Sequence, residues 1–501
     1  MTAAQPLPYG RGSLLALAVV RLWLMPLGSS FWIDEMATVF VARHGAADPS
    51  LAVAPQVALS IYYYLPRWAA ALLGPSEVVY RLPSVLAMAI AVALVARIAA
   101  RLIHPQAAWF AAFACVAISG IDYQAVDARP YGLGTCVAAA GVLFLVRWLD
   151  EGSWREGLLF ALFAALLWRV HLIFWPFYLV FAGYAVARIL RRETRVGWLQ
   201  AVAIFGLTGL SLVPVLVDAL ALFREAQAHV IVKPPSLHEL EHSLRWNVVA
   251  ICAAGAWIWS RLGRRAGESP APPPPPEVGQ AIRLPATSWL LFLAWWLCQP
   301  VCLFAFSHFT GNSVFVRRYL FLMLPGAALT ATAAVAHFTR PAHLNRLAAV
   351  LGVAALIALG DWGQLWPAHE HSDWRGAARM IDDLAGPDTP VICPSPFIEA
   401  RPPVWRPDYA MPGFLYSHLP VYPIGGKTYL FPFETSPEAE RYAADLARGP
   451  LSSSPRFLLY GGNGATRFWR KWFTARPELA GWSSVRLLYG DVDVVVFAPP
   501  K

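Results

Sequence analysis

The stretch LPSVLAMAIAVALVARIAARLI, residues 82–103, decides the class of fold. Before Arg97 its one polar side chain is Ser84, and as a helix rising about 1.5 Å per residue it can cross a bilayer core of about 30 Å. Backbone polar groups within a bilayer must be satisfied inside the segment, which favours helices. Ten further apolar runs lie near residues 13–30, 106–121, 130–149, 156–170, 172–190, 197–217, 246–262, 286–307, 319–338 and 346–362. The sequence therefore predicts an α-helical polytopic membrane protein with about eleven transmembrane helices.

The composition excludes a soluble globular protein. Of the 501 residues, 57% are hydrophobic and 14% are charged, whereas an ordinary soluble domain has about 25% charged residues. The formal net charge of +9 lies entirely within residues 1–362, because residues 363–501 contain 14 basic and 14 acidic side chains. We predict a transmembrane core over 1–362, with outer juxtamembrane loops at 31–80 and 122–130, followed by a soluble domain over 363–501.

The C-terminal part alternates helix and strand signals. Amphipathic stretches that indicate helices are DWRGAARMIDDLAG (373–386) and PEAERYAADLARG (437–449). Apolar stretches that indicate strands are TPVICPS (389–395), PRFLLYGG (455–462) and VDVVVFAPP (492–500). A small α/β layer is the expected result. The stretch YGGNGAT (460–466) lacks the spacing of a phosphate-binding glycine loop and is predicted to form a turn.

The arginines predict the topology. Lys and Arg punctuate the apolar runs instead of covering one polar face, which excludes nucleic acid as a partner. If the N-terminus is cytoplasmic, the clusters RILRRETR (188–195) and RLGRR (261–265) lie inside, together with the proline-rich linker PAPPPPPEVG (270–279), as the positive-inside rule requires. We therefore expect a multi-pass membrane protein whose C-terminal domain lies on the outer side. Residues predicted for the aromatic belts are Trp23, Trp68, Trp295 and Trp296.

Two neighbouring carboxylates, Asp34 and Glu35, follow the first predicted crossing in the stretch FWIDEMATVF (31–40). Partial desolvation at a membrane boundary perturbs carboxylate pKa values, and adjacent carboxylates resist joint ionisation. Such a pair could supply a general base and a metal ligand. An acidic first turn on an interfacial helix is the structural alternative. No cofactor is certain from the sequence, and a divalent cation is the candidate that it leaves open.

Counting the crossings places charged groups from five separate loops on the outer side. They are Asp34, Arg67, Arg81, Asp122, Asp127, Arg129, His171, Arg317 and Arg318. Outer loops are normally poor in arginine, so the presence of these arginines on the outer side needs an explanation. A bound phosphate supplies one, because a guanidinium makes bidentate contacts to phosphate oxygens. Lipid headgroup contacts or structural pairs with carboxylates are the alternatives.

Several of these stretches resemble one known family. FWIDEMATVF is similar to the W-x-D-E-a-x-T first-loop signature of the type C glycosyltransferases that use polyprenyl-phosphate sugars, in the protein mannosyltransferase and aminoarabinose transferase branch (glycosyltransferase family 39 and relatives). Similar motifs follow in the family's order, namely IYYYLPRWAAALLGPSEVVYRLPS (61–84), DYQAVDARPYGL (122–133) and RRYLFLMLPGAALTATAAVA (317–336). The similarity covers about residues 25–340.

The resemblance implies a protein of the bacterial inner membrane with 11 to 13 transmembrane helices, two outer juxtamembrane loops and a periplasmic domain. It implies transfer of a hexose or pentose from a polyprenyl-phosphate donor to a lipid, glycan or protein acceptor, with inversion at the anomeric carbon. Asp34 matches the family's presumed general base. Substrate-binding positions that match are Glu35, Asp127, Arg129, Tyr131, Arg318 and Tyr319. The stretch ALSIYYYL (58–65) departs from the family's H-P-P-L-Y-Y, which puts local acceptor or metal contacts in doubt.

The residue types suit this chemistry independently of the resemblance. Breaking a sugar–phosphate bond builds positive charge on the sugar and releases a phosphate, so the site needs a carboxylate near the acceptor hydroxyl and cations near the leaving group. Asp34 could take the acceptor proton, and His171 could contact the sugar or a divalent ion or could simply pack. Candidate phosphate ligands are Arg129, Arg317 and Arg318 with Arg67 or Arg81.

Two other function classes stay open at this stage. A polytopic transporter would favour charges buried near the middle of spans and interrupted helices in matching halves, whereas only Arg21 lies clearly inside a predicted span. A lipid- or polymer-binding membrane protein would need neither the acidic pair nor the outer arginines. The positions of the charges therefore favour the enzyme.

Overall fold

The computed structural model describes residues 9–225, 233–265, 282, 284–402, 404–407 and 413–500. The predicted linker 270–279 lies outside these residues. The chain divides into two compact units. The first comprises Met1–Pro26 and Leu82–Trp366, and the second comprises Leu27–Arg81 and Pro367–Lys501. The predicted first outer loop and the C-terminal domain thus belong to the same unit.

Helices dominate the chain up to residue 366. The α-helices are α1 Tyr9–Val19, α2 Ile33–His44, α3 Pro55–Ala58, α4 Tyr64–Leu73, α5 Glu77–Leu102, α6 Ala107–Ala117, α7 Ile121–Val126, α8 Tyr131–Glu151, α9 Trp154–Val170, α10 Phe177–Leu190, α11 Trp198–Glu225, α12 Leu237–Ser243, α13 Trp246–Arg265, α14 Ala286–Thr310, α15 Leu324–Phe338, α16 Pro341–Leu359, α17 Trp374–Leu384, α18 His418–Val421, α19 Pro437–Leu446 and α20 Asn463–Thr474. A 3₁₀ helix, Arg317–Met323, leads directly into α15.

Eight helical segments among the described residues are long and apolar enough to cross a membrane. They are Gly10–Gly28, Glu77–Leu102, Tyr131–Glu151, Leu172–Leu190, Trp198–Leu222, Ala286–Thr310, Arg317–Phe338 and Pro341–Leu359. The other three predicted runs coincide with α6, α9 and α13, which are shorter or less apolar. The polytopic helical class is therefore confirmed, and the count of eleven crossings stays a prediction.

An ion-pair network joins helix ends within the first unit. Arg101 at the end of α5 contacts Asp150 at 2.8 Å and Glu151 at 3.1 Å, both at the end of α8. Arg188 near the end of α10 contacts Asp150 at 2.8 Å. Helix α8 then stops at Gly152, whose φ of +72° is a left-handed conformation that glycine adopts without cost. The ends of α5, α8 and α10 therefore meet on one side, as the predicted inner-side arginines require.

Arg21, the charge predicted inside the first span, is almost fully buried. Its guanidinium donates to the carbonyl oxygens of four residues that follow α16, at 2.6 to 2.7 Å; they are Gly360, Asp361, Gln364 and Leu365. All four acceptors are backbone carbonyl dipoles, and Asp361 also contributes its carbonyl oxygen, not its carboxylate. Arg21 thereby ties the first helix to the end of α16.

The prediction that Trp295 and Trp296 lie in an aromatic belt is wrong. Both indoles are buried, and their N–H groups donate to the carbonyls of Leu322 and Leu244 at 2.8 Å. Gly326 of α15 explains how the helices come so close, since a Cβ there would lie 2.5 Å from the backbone nitrogen of Trp296. Trp295 and Trp296 are thus internal hydrogen-bond donors.

The C-terminal part of the second unit contains the predicted α/β layer. Its strands are β1 Pro390–Pro394, β2 Lys427–Phe431, β3 Phe457–Gly462, β4 Ser483–Tyr489 and β5 Val492–Ala498, in the order β2-β1-β3-β5-β4. The pairs β1–β2 and β1–β3 are parallel, whereas β3–β5 and β5–β4 are antiparallel. The turn predicted at 460–466 is wrong, because β3 ends at Gly462 and α20 begins at Asn463.

The predicted first outer loop packs on this domain within the second unit. Arg375 of α17 contacts Glu77 at 3.0 Å, and the hydroxyl of Tyr422 donates to the same carboxylate at 3.0 Å. That hydroxyl also accepts the backbone N–H of Phe31 at 2.9 Å. The segment carrying FWIDEMATVF is therefore fixed by the C-terminal domain.

Candidate functional site

The predicted site residues are divided between the two units. Those in the first unit are Asp127, Arg129, Tyr131, His171, Arg317, Arg318 and Tyr319, and those in the second are Asp34, Glu35, Arg67 and Arg81. The catalytic and binding roles of both groups stay predictions.

Glu35 and Arg81 form a buried ion pair in the second unit. Arg81 Nη2 lies 2.5 Å and Nε lies 2.7 Å from the two Glu35 oxygens, and both side chains are 0% exposed. Arg81 also donates to the carbonyls of Leu27 at 2.8 Å and Ser29 at 2.7 Å. The pair joins the first turn of α2 to the beginning of α5, so both residues stabilise the fold.

Asp34 precedes this pair in the first turn of α2 and is half-buried. An acidic side chain there is stabilised by the positive end of the helix dipole. Arg67 lies on the exposed side of α4. Only Asp34 of this group thus combines partial exposure with the chemistry of a base.

Three rings from separate segments of the first unit meet around His171. Its ring centroid lies 5.6 Å from that of Tyr131 at the start of α8 and 5.5 Å from that of Tyr319 in the 3₁₀ helix, and the two tyrosine rings are 6.2 Å apart. Desolvation, together with the charges of Arg129 and Arg318, lowers the pKa of His171 to about 3. The imidazole is therefore neutral near pH 7.

The backbone selects the tautomer of that imidazole. Nδ1 of His171 accepts the N–H of Ile173 at 3.2 Å, so the ring proton resides on Nε2. Gln299 of α14, 1% exposed, donates to the carbonyls of Ile173 at 2.9 Å and Tyr319 at 3.1 Å. Gln299 thereby fixes the two segments that carry His171 and Tyr319. Gln299 was not among the predicted site residues, although a lone amide in a long apolar helix is a usable signal.

A cavity of about 850 Å³ lies beside this cluster, between the end of α6, the α12–α13 junction and the 3₁₀ helix. Arg317, which was predicted, lines it together with Arg245, which was not. Arg245 donates to the carbonyl of Ser119, and its guanidinium carbon lies 6.0 Å from the ring centroid of Phe321. The cavity therefore holds two guanidinium groups from separate segments.

Both basic and acidic side chains lie around this cavity. Burial and the nearby Arg317 lower the pKa of Arg245, while Asp122 raises it. Burial raises the pKa of Asp122, whose carboxylate already accepts the N–H of Gly120 at 2.6 Å. The cavity lining thus contains two guanidinium groups, of Arg245 and Arg317, and two carboxylates, of Glu239 and Glu241.

Comparisons with known proteins agree with this architecture. Residues 60–259 match the family model described as dolichyl-phosphate-mannose-protein mannosyltransferase. The fold is similar to that of ArnT from Cupriavidus metallidurans bound to undecaprenyl phosphate, with 11% identity and a TM-score of 0.51 over 99% of this chain and 100% of that one. The apo form of that ArnT gives 13% identity and a TM-score of 0.52 over 98% and 99%. No curated protein matches the sequence.

Proposed function

Because motifs, family model and fold agree on the resemblance to the type C glycosyltransferases, we propose that this chain is an integral-membrane glycosyltransferase. It moves a hexose or pentose from a polyprenyl-phosphate donor to an acceptor outside the cytoplasm, with inversion. Lipids, glycans and proteins are the acceptor classes. The observation that carries this proposal is the gathering of Arg129 and Arg318 around the Tyr131–His171–Tyr319 cluster.

Arginines at the ends of membrane helices suit a lipid phosphate. The polyprenyl tail stays in the bilayer, while the phosphate reaches the boundary where guanidinium groups can bind its oxygens. Tyr131 in this cluster is buried, and the low polarity of a buried site strengthens such charge interactions. The inner ends of α5, α8 and α10 hold their arginines in carboxylate pairs, which supports assigning the other side to catalysis and to the periplasm.

In the proposed reaction the acceptor oxygen attacks the anomeric carbon from the face opposite the phosphate. The bond between that carbon and the phosphate oxygen breaks, and its electron pair leaves with the phosphate. Asp34 takes the proton from the acceptor oxygen. The outer arginines stabilise the departing phosphate, and the Nε2–H of neutral His171 donates a hydrogen bond to a sugar oxygen without adding charge.

The test uses Asp34→Asn in purified protein reconstituted into lipid nanodiscs. Undecaprenyl-phosphate mannose and undecaprenyl-phosphate aminoarabinose are the donor probes, and envelope lipids and glycans analysed by mass spectrometry are the acceptors. We expect a 100-fold or greater loss of kcat, the range in which general bases contribute. Asp48→Asn is the control, because Asp48 of the same unit caps a short helix through Ser50 at 2.9 Å. Full transfer by a folded Asp34→Asn protein would refute the assignment of the base.

The transporter alternative gains no support from the buried charge in the first span. Arg21 is occupied by the carbonyls of residues 360–365, so it does not present a charge to a solute pathway. Uptake assays with the protein reconstituted into sealed lipid vesicles would reveal transport independently of sugar transfer.

A further inference from the structure

The side-chain amide of Gln299 links two segments that carry predicted site residues. Its Nε2 donates to the carbonyl of Ile173 at 2.9 Å and to the carbonyl of Tyr319 at 3.1 Å. Ile173 lies two positions after His171. Tyr319 directly follows Arg318. Because Gln299 is 1% exposed, water does not compete for these hydrogen bonds, and the amide sets the separation of the two segments.

Two neighbouring donors of α14 each hold one of these segments alone. The Trp295 N–H donates to the carbonyl of Leu322, in the 3₁₀ helix, at 2.8 Å. The Cys298 thiol donates to the carbonyl of Pro176, which directly precedes α10, at 3.3 Å. Gln299 differs from both because its hydrogen bonds span the two segments. Loss of its amide would therefore release the segments from each other while each stays attached to α14.

The chemistry at position 299 is specified by its partners, which are both acceptors. A carbonyl oxygen cannot donate, so the NH₂ end of the Gln299 amide must face both of them. Its Oε1 is buried and has no hydrogen-bond donor among the described residues, and a buried acceptor without a donor lowers stability. Gln299 thus joins two segments at some expense of stability, and such departures from full hydrogen bonding are expected at functional sites.

We propose that Gln299 is a positioning residue for sugar transfer. Under the proposed function, the Nε2–H of His171 binds a sugar oxygen while Arg318 binds the phosphate. The bond that breaks joins the sugar to the phosphate, so the reaction requires a fixed separation between these two contacts. Gln299 acts on the donor through the backbone of Ile173 and Tyr319, where its hydrogen bonds end. This inference rests on the proposed function and extends it, because it names the group that aligns the two ends of the donor.

The first experiment compares Gln299→Met with the unchanged full-length protein in lipid nanodiscs. Methionine keeps an unbranched, flexible side chain and lacks the N–H donors. The kcat for transfer from undecaprenyl-phosphate mannose or undecaprenyl-phosphate aminoarabinose should fall about tenfold to hundredfold, because a misplacement of about 1 Å can slow a reaction about a hundredfold. Affinity for undecaprenyl phosphate, which carries no sugar, should stay unchanged, because binding of the phosphate alone does not require alignment with the sugar contact.

Two further variants serve as controls for the lost hydrogen bonds. Gln200→Met is the matched control, since Gln200 is half-buried and its Nε2 donates to the carbonyl of Gly152 at 3.0 Å. Gly152 ends α8, about 30 Å along that helix from Tyr131 in the cluster, so the kcat of this variant should equal that of the unchanged protein. Cys298→Ala removes a donor from one segment only and should reduce kcat less than Gln299→Met does.

The second experiment measures the link between the segments without sugar transfer. Hydrogen–deuterium exchange of segments 171–176 and 317–323 should be faster in Gln299→Met than in the unchanged protein, because the segments lose a shared contact. Gln299→Glu keeps the shape of the side chain, but a carboxylate only accepts hydrogen bonds and therefore repels both carbonyl oxygens. Exchange should be faster still in this variant, and its kcat should fall further.

An unchanged kcat in folded Gln299→Met protein would overturn the proposal, as would unchanged exchange in both segments. Parallel losses of kcat and of affinity for undecaprenyl phosphate would also overturn it, because the amide would then stabilise the fold without aligning the donor. If the unchanged protein transfers no sugar, the proposed function fails and this inference fails with it. If the unchanged protein and Gln299→Met transfer sugar equally well, only this inference fails.

Discussion

The buried pair between Glu35 and Arg81 allows a quantitative test of the second unit. Both side chains are 0% exposed and 2.5 Å apart. Removing one partner of such a pair typically costs 3–5 kcal/mol, because the remaining charge stays buried without compensation. Glu35→Gln keeps the shape of the side chain, and Arg81 retains the carbonyls of Leu27 and Ser29. We therefore expect the lower end, about 3 kcal/mol, which shifts the unfolding equilibrium about a hundredfold.

The assay is denaturant unfolding in detergent micelles, followed by tryptophan fluorescence and repeated for Arg81→Gln and for the double variant. The double variant should lose less than the sum of the single losses, by about 2–3 kcal/mol, because the second substitution no longer breaks a pair. Arg401→Gln is the control, since its pair with Glu434 at 2.6 Å is 30% and 53% exposed and should contribute less than about 1 kcal/mol. A loss for Glu35→Gln no larger than that of Arg401→Gln would refute the reasoning.

Two further predictions concern the C-terminal domain and the α14–α15 contact. Burial lowers the pKa of His418 to about 3. Between pH 6.5 and 3 the unfolded state therefore binds a proton that the folded state does not. The free energy of unfolding consequently decreases as the pH is lowered, by up to about 1.4 kcal/mol per pH unit. His418→Phe should reduce the pH dependence of the unfolding midpoint between pH 7 and 4. An unchanged pH dependence would contradict its assignment to His418. Gly326→Ala places a Cβ 2.5 Å from the backbone nitrogen of Trp296 and should destabilise by about 1–3 kcal/mol. Gly209→Ala in α11 meets no atom within 4 Å and should stabilise by up to about 1 kcal/mol, so equal shifts in the two thermal unfolding curves would argue against the close approach.

The membrane helices could be predicted from the sequence because a bilayer imposes a length and an apolar composition on each segment. All eleven apolar runs lie on helices. In the C-terminal domain, the strand prediction found β1, β3 and β5, whose residues are mostly buried. It missed β2 and β4, whose residues are mainly half-buried or exposed. A strand at the edge of a sheet carries a weaker apolar signal, so its pairing depends on tertiary contacts.

The candidate site was predictable in its residue types and less so in its partners. Counting the membrane crossings placed Arg317 and His171 on the outer side and so made them candidates. Arg245 directly precedes the apolar run 246–262, and the same count would have made it a candidate too. The inward direction of Trp296 could not be predicted, because it depends on the bare surface that Gly326 offers on another helix. Likewise, the sequence shows that Glu35 and Arg81 are charged but not that they neutralise each other.

The hydrogen bonds of Arg21 have a consequence for biogenesis. Its carbonyl partners follow it by 339 to 344 residues, so at typical synthesis rates roughly 20 to 70 s pass before they leave the ribosome. During that interval the guanidinium has none of these acceptors, and a charge within the bilayer is costly. The first helix therefore reaches its final depth only after the last one has been inserted, which makes the earliest part of the chain one of the latest to settle.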